Sequence, residues 1–137
     1  MPADGGDAEQ ITRHGGNAAL VSPDGQHLYY RRANAGAIFR IRTDGTGDTE
    51  IVPSAYATLT YAVTQSGLWF VGYPDTRSAD PHWSIQLRRF SDGTTTEVAR
   101  VDRPDGLQLS VSPDERYVLL TRLDSSGTDL QLVNDFR

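Results

Sequence analysis

His82 and two nearby aspartates are the first candidates for chemistry in this chain of 137 residues. Asp75, Asp80 and His82 fall within eight residues of one loop. Carboxylate oxygens and an imidazole at this spacing can hold a divalent metal ion. The same stretch contains Asp-Pro and Pro-His neighbours, which commonly form loops. We therefore keep a metal site at these residues as the lesser hypothesis, and we predict no metal and no cofactor.

Nucleophilic catalysis has little support in the sequence. A serine hydrolase needs a nucleophile, a base and an orienting acid, and Gly-x-Ser-x-Gly is absent. Ser66 and Gly67 align instead with a hairpin turn. The absence of cysteine excludes thiolate catalysis and disulfides, and the absence of lysine excludes a Schiff base. We predict that the chain has no catalytic residue and is not an enzyme.

Charge and hydropathy narrow the classes of partner. The net charge of −5 argues against nucleic acid held mainly by phosphate contacts. No apolar run approaches the ~18 residues that a membrane span needs. The first residues do not show the basic and apolar pattern of a signal peptide. We therefore expect no nucleic-acid partner and no membrane span, while cytoplasm and periplasm both stay open.

All 13 basic residues are arginines, and several fall on or beside predicted strands. Alternation places Arg40, Arg42 and Arg88 on one face of their strands and apolar residues on the other. Arginines in such positions either pair with aspartates between packed sheets or form a site for phosphate or an acidic peptide. The first interpretation is the one that we favour.

An internal repeat supplies the elements that would position these side chains. Three segments align, each with a short apolar run, a turn and a second apolar run. Their equivalent valines, Val21, Val63 and Val111, are 42 and 48 residues apart. Asp-Gly turns precede a further short run in each unit, whose first apolar residue is Ile11, Ile51 or Val98. Periods of ~40–50 residues with four short strands are typical of β-propeller blades.

The repeat predicts an all-β fold of three four-stranded antiparallel blades. We name the strand types A to D in chain order within a blade. Strand D of a preceding blade would occupy residues 1–12, and the blades would occupy 13–52, 53–99 and 100–137, the last with strands A to C only. An antiparallel sandwich is the alternative, but it does not require matched units.

Three blades are too few to close a ring, since propellers have typically ~4–8. The chain begins on a D strand and ends on a C strand. Two chains could therefore exchange D strands and close a six-bladed ring with twofold symmetry. We predict such a homodimer of half-propellers. The alternative is that the chain is a piece of a longer one.

The repeat also resembles a known family. Ser22-Pro23-Asp24-Gly25 followed by Leu28-Tyr29-Tyr30 is similar to the repeat of TolB-type six-bladed propellers. Ser112-Pro113-Asp114 is a second copy, with Glu115 where that family usually has glycine. The C-terminal stretch 123–137 resembles the end of propeller domains in bacterial winged-helix regulators. The resemblance implies protein–protein scaffolding or sensing.

Loops between strands D and A and between strands B and C should share one end of the blades. We predict a binding site there. Its candidate residues are Arg13, His14, Tyr56, Tyr73, Asp75, Arg77, His82 and Arg103.

The predicted function is a non-enzymatic module that binds a protein or peptide partner, or senses a ligand, as a homodimer. Two alternatives remain. One is an enzyme or enzyme accessory domain of hydrolase or lyase type, with its site in the central channel. The other is a structural fragment or engineered half-propeller without activity of its own.

Overall fold

The computed structural model describes residues 4–32, 35–56, 59–104, 108–124 and 127–134, with the backbone alone at 122–124, 127–129, 131 and 134. These residues form eleven β-strands and no helix, which confirms the all-β prediction. Within this part of the chain, no helix is long and apolar enough to cross a membrane.

The strands form three separate antiparallel sheets, which we call blades 1, 2 and 3. Blade 1 contains β1 (Asn17–Val21), β2 (His27–Arg31), β3 (Ile38–Arg42) and β4 (Thr49–Val52). Blade 2 contains β5 (Tyr61–Val63), β6 (Gly67–Gly72), β7 (Trp83–Arg89) and β8 (Thr95–Val101). Blade 3 contains β9 (Leu109–Val111), β10 (Tyr117–Asp124) and β11 (Gly127–Asn134). In each blade, strands that are neighbours in the chain are also neighbours in the sheet.

The strand predicted at residues 1–12 was expected to form with a second chain, and it stays a prediction. Residues 7–12 form no strand in this single chain, because a strand needs a second strand as hydrogen-bond partner and the described chain places none beside this segment. The fourth strand of blade 2, β8, continues to Val101, two residues beyond the blade boundary predicted at residue 99.

The Ser-Pro-Asp motif forms the hairpin between the first two strands of a blade. The Ser22 hydroxyl donates to Asp24 at 2.5 Å, and its oxygen accepts the backbone N–H of His27 at 3.0 Å. Gly25 closes the turn with φ of 71°, which glycine adopts without a steric penalty. Ser112 and Asp114 repeat the arrangement in blade 3, with a hydroxyl-to-carboxylate distance of 2.6 Å.

Glu115 occupies the glycine position of the third turn and adopts φ of 57°. Its Oε1 accepts a hydrogen bond from the backbone N–H of Ser66 at 3.1 Å, which joins the turn of blade 3 to that of blade 2. Burial raises the pKa of Glu115, but hydrogen bonds, chiefly from Ser66, outweigh it and leave the pKa below its usual value. The side chain thus links two blades at the position where φ is unfavourable.

Apolar side chains fill the two spaces between neighbouring blades. Between blades 1 and 2 lie Tyr29, Ile38, Tyr61, Leu68 and Phe70, all at most 3% exposed. The space between blades 2 and 3 is filled by Trp69, Val71, Ile85, Leu87, Leu109, Val118 and Leu120. Blades 1 and 2 therefore each bury one face against the next blade, as stacked blades require.

The fourth strands of blades 1 and 2 share a β-bulge. Ile38 pairs with Val52 and Phe39 with Glu50, so Ile51 is the extra residue in blade 1. The shift in blade 2 leaves Val98 as the extra residue. Ile51 and Val98 are partly buried and pack against the core that joins their blade to the next one. The bulge therefore aims an apolar side chain of the outermost strand into the space between blades.

Candidate functional site

An aromatic cluster lies at the end of blade 2 where two loops meet. Tyr56 follows β4, Tyr73 follows β6 and Trp83 begins β7. The Tyr56 ring lies 4.8 Å from the Trp83 ring and 5.6 Å from the Tyr73 ring, in edge-to-face contacts. Tyr73 and Trp83 are 5.4 Å apart. The three rings pack against one another, and Tyr73 remains 51% exposed.

A polar cavity of about 180 Å³ opens beside Tyr73. Its wall combines an aromatic ring with carboxylates, hydroxyls, an imidazole and an amide. The lining residues are Tyr73, Asp75, Ser78, Asp80, His82, Ser84, Gln86 and Glu97. Three of them are acidic, so the cavity favours a positively charged group over an anion.

His82 bridges two elements of this cavity. Its Nε2 lies 2.8 Å from Glu97 Oε2, and its Nδ1 lies 2.6 Å from the carbonyl oxygen of Asp80. The Glu97 carboxylate, followed by the Asp80 carbonyl, raises the pKa of His82 above its usual value. Arg100 lies 2.5 Å from Asp80, and this guanidinium lowers the pKa of the Asp80 carboxyl. Asp80 and His82 therefore connect the loop before β7 to Arg100 and Glu97 on β8.

The metal hypothesis finds no support in this geometry. Both ring nitrogens of His82 already face oxygen atoms, and one of these is a backbone carbonyl. In the part of the chain that the structure describes, no group of three or more His, Asp or Glu side chains is arranged to hold a metal ion.

The structure brings some of the predicted site residues together and leaves others apart. Tyr56 contacts Tyr73, and Asp75 and His82 line the same cavity as Tyr73. Arg77 lies in the same loop and donates its backbone N–H to Asp75 at 2.9 Å. Five predicted residues do not line this cavity. Tyr56 and Arg77 lie beside it, whereas Arg13, His14 and Arg103 are exposed in the segments before β1 and β9.

Sequence reasoning missed Glu97 and Arg100. Both lie on the fourth strand of blade 2, where Glu97 pairs with Gln86 and Arg100 with Ser84. The metal hypothesis used only the histidine and the aspartates of the loop. The strand pairing that brings them beside the loop includes the bulge at Val98, which the sequence pattern does not reveal.

An open groove of about 350 Å³ runs along the first strands of the three blades. Its lining is mainly small and apolar, with Gln108 and Ser110 as polar members. Leu20, Val21 and Leu59 are exposed on this wall, to between 37% and 58%. The groove contains no ionisable group except the Tyr61 phenol, whose pKa burial raises to about 12, more than Arg31 lowers it.

The outer face of blade 3 is apolar and exposed. Leu119 pairs with Leu132 across the sheet, and Thr121 pairs with Leu130. Leu119, Leu130, Leu132 and Tyr117 are 39%, 70%, 51% and 41% exposed. We call these four residues the outer face of blade 3. Side chains of this kind normally lie against another layer.

That face corresponds to a covered face in blade 2. Trp69 pairs with Leu87 in blade 2, as Leu119 pairs with Leu132 in blade 3, and Val71 with Ile85 corresponds to Thr121 with Leu130. The blade 2 residues are buried against blade 3. These sheet positions are therefore covered by a neighbouring blade in blade 2 and exposed in blade 3.

Two arginines at the end of β2 have structural partners. Arg32 lies 2.5 Å from Asp48 and 3.9 Å above the Phe39 ring, within blade 1. Arg31 is 6% exposed and donates to the carbonyl oxygen of Ala55 at 3.0 Å. The Arg32–Asp48 pair lies within blade 1 and includes none of Arg40, Arg42 and Arg88, so the predicted pairing of those arginines between blades stays a prediction.

Comparisons with known proteins identify the fold. No family model and no curated protein matches the chain. Among solved structures, the tricorn protease aligns with a TM-score of 0.57 and 9% identity, over 85% of this chain and 12% of that one. That protein contains β-propeller domains, and the likeness shows a propeller-type fold.

Two candidate 6-phosphogluconolactonases are also similar. The one from Bacteroides fragilis NCTC 9343 has a TM-score of 0.49 and 15% identity, over 88% of this chain and 38% of that one. The one from Bacteroides uniformis ATCC 8492 has a TM-score of 0.48 and 14% identity, over 88% and 39%. This chain spans less than two fifths of the length of each structure compared.

Proposed function

We propose that this chain is a non-enzymatic interaction module whose blades close into a six-bladed ring with a second copy. One observation carries the proposal: the exposed outer face of blade 3 has the sheet positions that blade 2 uses to bind its successor. A blade of the same repeat is the layer that fits such a face, because the blade-to-blade spacing is built into the repeat. The Ser22 and Ser112 turns support a TolB-type repeat as part of this proposal.

The lining of the open groove along the first strands supports a non-enzymatic role. In propeller enzymes of the predicted alternative, the channel would need acids, bases or cations around it. The lining of this groove is mainly aliphatic. Binding at the loops or at blade faces is the role that these surfaces support.

The mass of the protein in solution tests the proposal. One chain has a mass of 15.0 kDa, so a closed pair should give about 30 kDa in light scattering at micromolar concentration. The pair should keep this mass over a tenfold dilution, since a ring buries two interfaces at once. A particle of 15.0 kDa across that range would overturn the proposal.

The cavity beside Tyr73 favours a second candidate function, the binding of a basic side chain from a partner protein. The Asp75 carboxylate would face the cation, and the half-exposed Tyr73 ring would cover its planar side. Arginine amide is a suitable probe, with the neutral isostere citrulline amide as the control.

Amide chemical shifts provide the readout for this second function. We expect arginine amide, and not citrulline amide, to shift the signals of residues 73–82. Asp75→Asn should weaken the effect several-fold, while Asp44→Asn, in a distant turn, should not change it. Equal shifts from both probes would show that charge recognition is absent.

A further inference from the structure

The segment before β1 lies against the outer face of blade 1, although it forms no strand. Ile11 is partly buried and packs with Tyr30, Ala37, Phe39 and Ile41. Its carbonyl oxygen lies near the turn between β3 and β4, 3.6 Å from where a side chain on Gly45 would begin. The start of the chain is therefore already placed beside the first blade.

Ile11 has two counterparts, and both belong to fourth strands. Ile51 follows the turn glycine Gly45 by six residues, and Ile11 follows Gly5 by six. Ile51 and Val98 are the bulged residues that point into the space before the next blade. Ile11 packs at the corresponding place in front of blade 1. Residues 7–12 thus correspond in sequence and packing to a fourth strand, and the described residues contain no other strand of that blade.

Blade 3 lacks a fourth strand among the described residues. Its strand order is β9-β10-β11, so β11 is an edge strand in the described residues. The equivalent third strands, β3 and β7, each pair with a fourth strand on that side. An unpaired edge with an apolar face beside it is a surface for strand addition.

We propose that residues 7–12 of one copy pair antiparallel with β11 of a second copy, as the fourth strand of its blade 3. The inference rests on the proposed function and names the contact that closes the ring. Because the symmetry is twofold, each copy gives one segment and receives one. The outer face of blade 3 then packs against the side of the second copy's blade 1 on which Ile11 lies, which continues the packing between blades.

The register follows from the two complete blades. Arg40 pairs with Thr49 in blade 1 and Leu87 with Thr96 in blade 2. Transferred to the new pair, Leu132 stands opposite Glu9, Gln131 opposite Gln10, and Leu130 opposite Thr12. Ile11 is the bulged residue, as Ile51 and Val98 are. Both blades give the same assignment, so the proposal fixes the pairing to one residue.

The second copy is a better source of the segment than the same chain. Blade 2 stands between blades 1 and 3, with both of its faces buried against them. The segment before β1 packs on the far side of blade 1, whereas β11 belongs to blade 3. The segment before β1 and the edge strand β11 therefore lie at opposite ends of the row of three blades.

Single cysteines test the pairing cleanly, because the chain contains none of its own. Chains carrying Gln10→Cys and chains carrying Gln131→Cys would be co-expressed and oxidised. We expect a reducible pair of about 30 kDa, twice the mass of the 15.0 kDa chain, that contains one chain of each kind. Either variant alone should give no such pair.

Gln10→Cys with Asn134→Cys is the matched control. Position 134 is three residues away from 131, which is about 10 Å along a strand, so no disulfide should form. Cross-linking that is absent from the first pair, or equally strong in the control, would overturn the strand exchange. If the unsubstituted protein is still a dimer, that result leaves the proposed function standing; if it is a monomer of 15.0 kDa, both fail.

Discussion

Leu132→Asp is expected to separate the two copies while leaving each chain folded. Leu132 lies on the outer face of blade 3 and is 51% exposed in the single chain. A charge at this position is solvated in the monomer, so the fold of the chain should not suffer. In the assembled ring, the same carboxylate would be buried against the first blade of the other copy.

The expected loss of dimer affinity follows from the exposed fraction of the Leu132 side chain. Complete burial of a leucine side chain stabilises by roughly 1.5–3 kcal/mol, so the half that is still exposed corresponds to about 1 kcal/mol for each copy. The closed ring contains this contact twice. Leu132→Ala should therefore weaken the dimer by about 2 kcal/mol, or about 30-fold in the dissociation constant. Leu132→Asp adds the desolvation of an unpaired carboxylate at both interfaces and should weaken it more than about 1,000-fold.

Sedimentation equilibrium measures both variants, and circular dichroism checks that they fold. Leu59→Asp is the matched control, since Leu59 is 46% exposed and lines the groove along the first strands rather than the outer face of blade 3. It adds the same charge and should leave the dimer intact. A Leu132→Asp protein that sediments as a dimer would refute our reasoning, and so would a control that dissociates equally.

Three further predictions concern the single chain. Ser22→Ala should cost roughly 1–3 kcal/mol of unfolding free energy, since it leaves the His27 N–H without its acceptor; urea unfolding measures this. Gly67→Ala should lower the free energy of unfolding by about 3 kcal/mol or more, because the added Cβ would lie 2.1 Å from the Arg88 carbonyl oxygen. Gly36→Ala, whose Cβ would lie 3.9 Å from its nearest neighbour, should lower it far less. His82 has a raised pKa, so its contribution to stability is complete below pH 6.5 and is lost as pH rises through the folded pKa. Melting temperatures of the wild type and His82→Gln should therefore converge with rising pH, and a constant difference would contradict this.

The repeat made most of the fold predictable from the sequence. Ser-Pro-Asp turns are local chemistry, since Ser22 and Asp24 satisfy backbone groups within a few residues. Alternation along a strand is equally local, and it puts Leu130 and Leu132 of β11 on one face, as the structure has them. Features that depend only on local geometry and period were therefore accessible.

The site was harder to predict because its residues meet through pairing between strands. His82 is bound by Glu97, fifteen residues away on a strand whose register contains a bulge. A bulge shifts every later side chain by one position, and sequence alternation cannot reveal it. Whether residues 1–12 form a strand depends likewise on an edge that a second chain would supply, so that strand stays a prediction.

Blade 2 is the one sheet among the described residues with other sheets packed on both faces. Every residue of β6 is buried, whereas most of β1 and the outer face of blade 3 are exposed. In an array that is stabilised by nearest-neighbour interfaces, the ends open more often than the middle. Amide hydrogens of β6 and β7 should therefore exchange with solvent most slowly in the isolated chain. Ring closure would remove the ends altogether, so the slow exchange should then extend to all three blades.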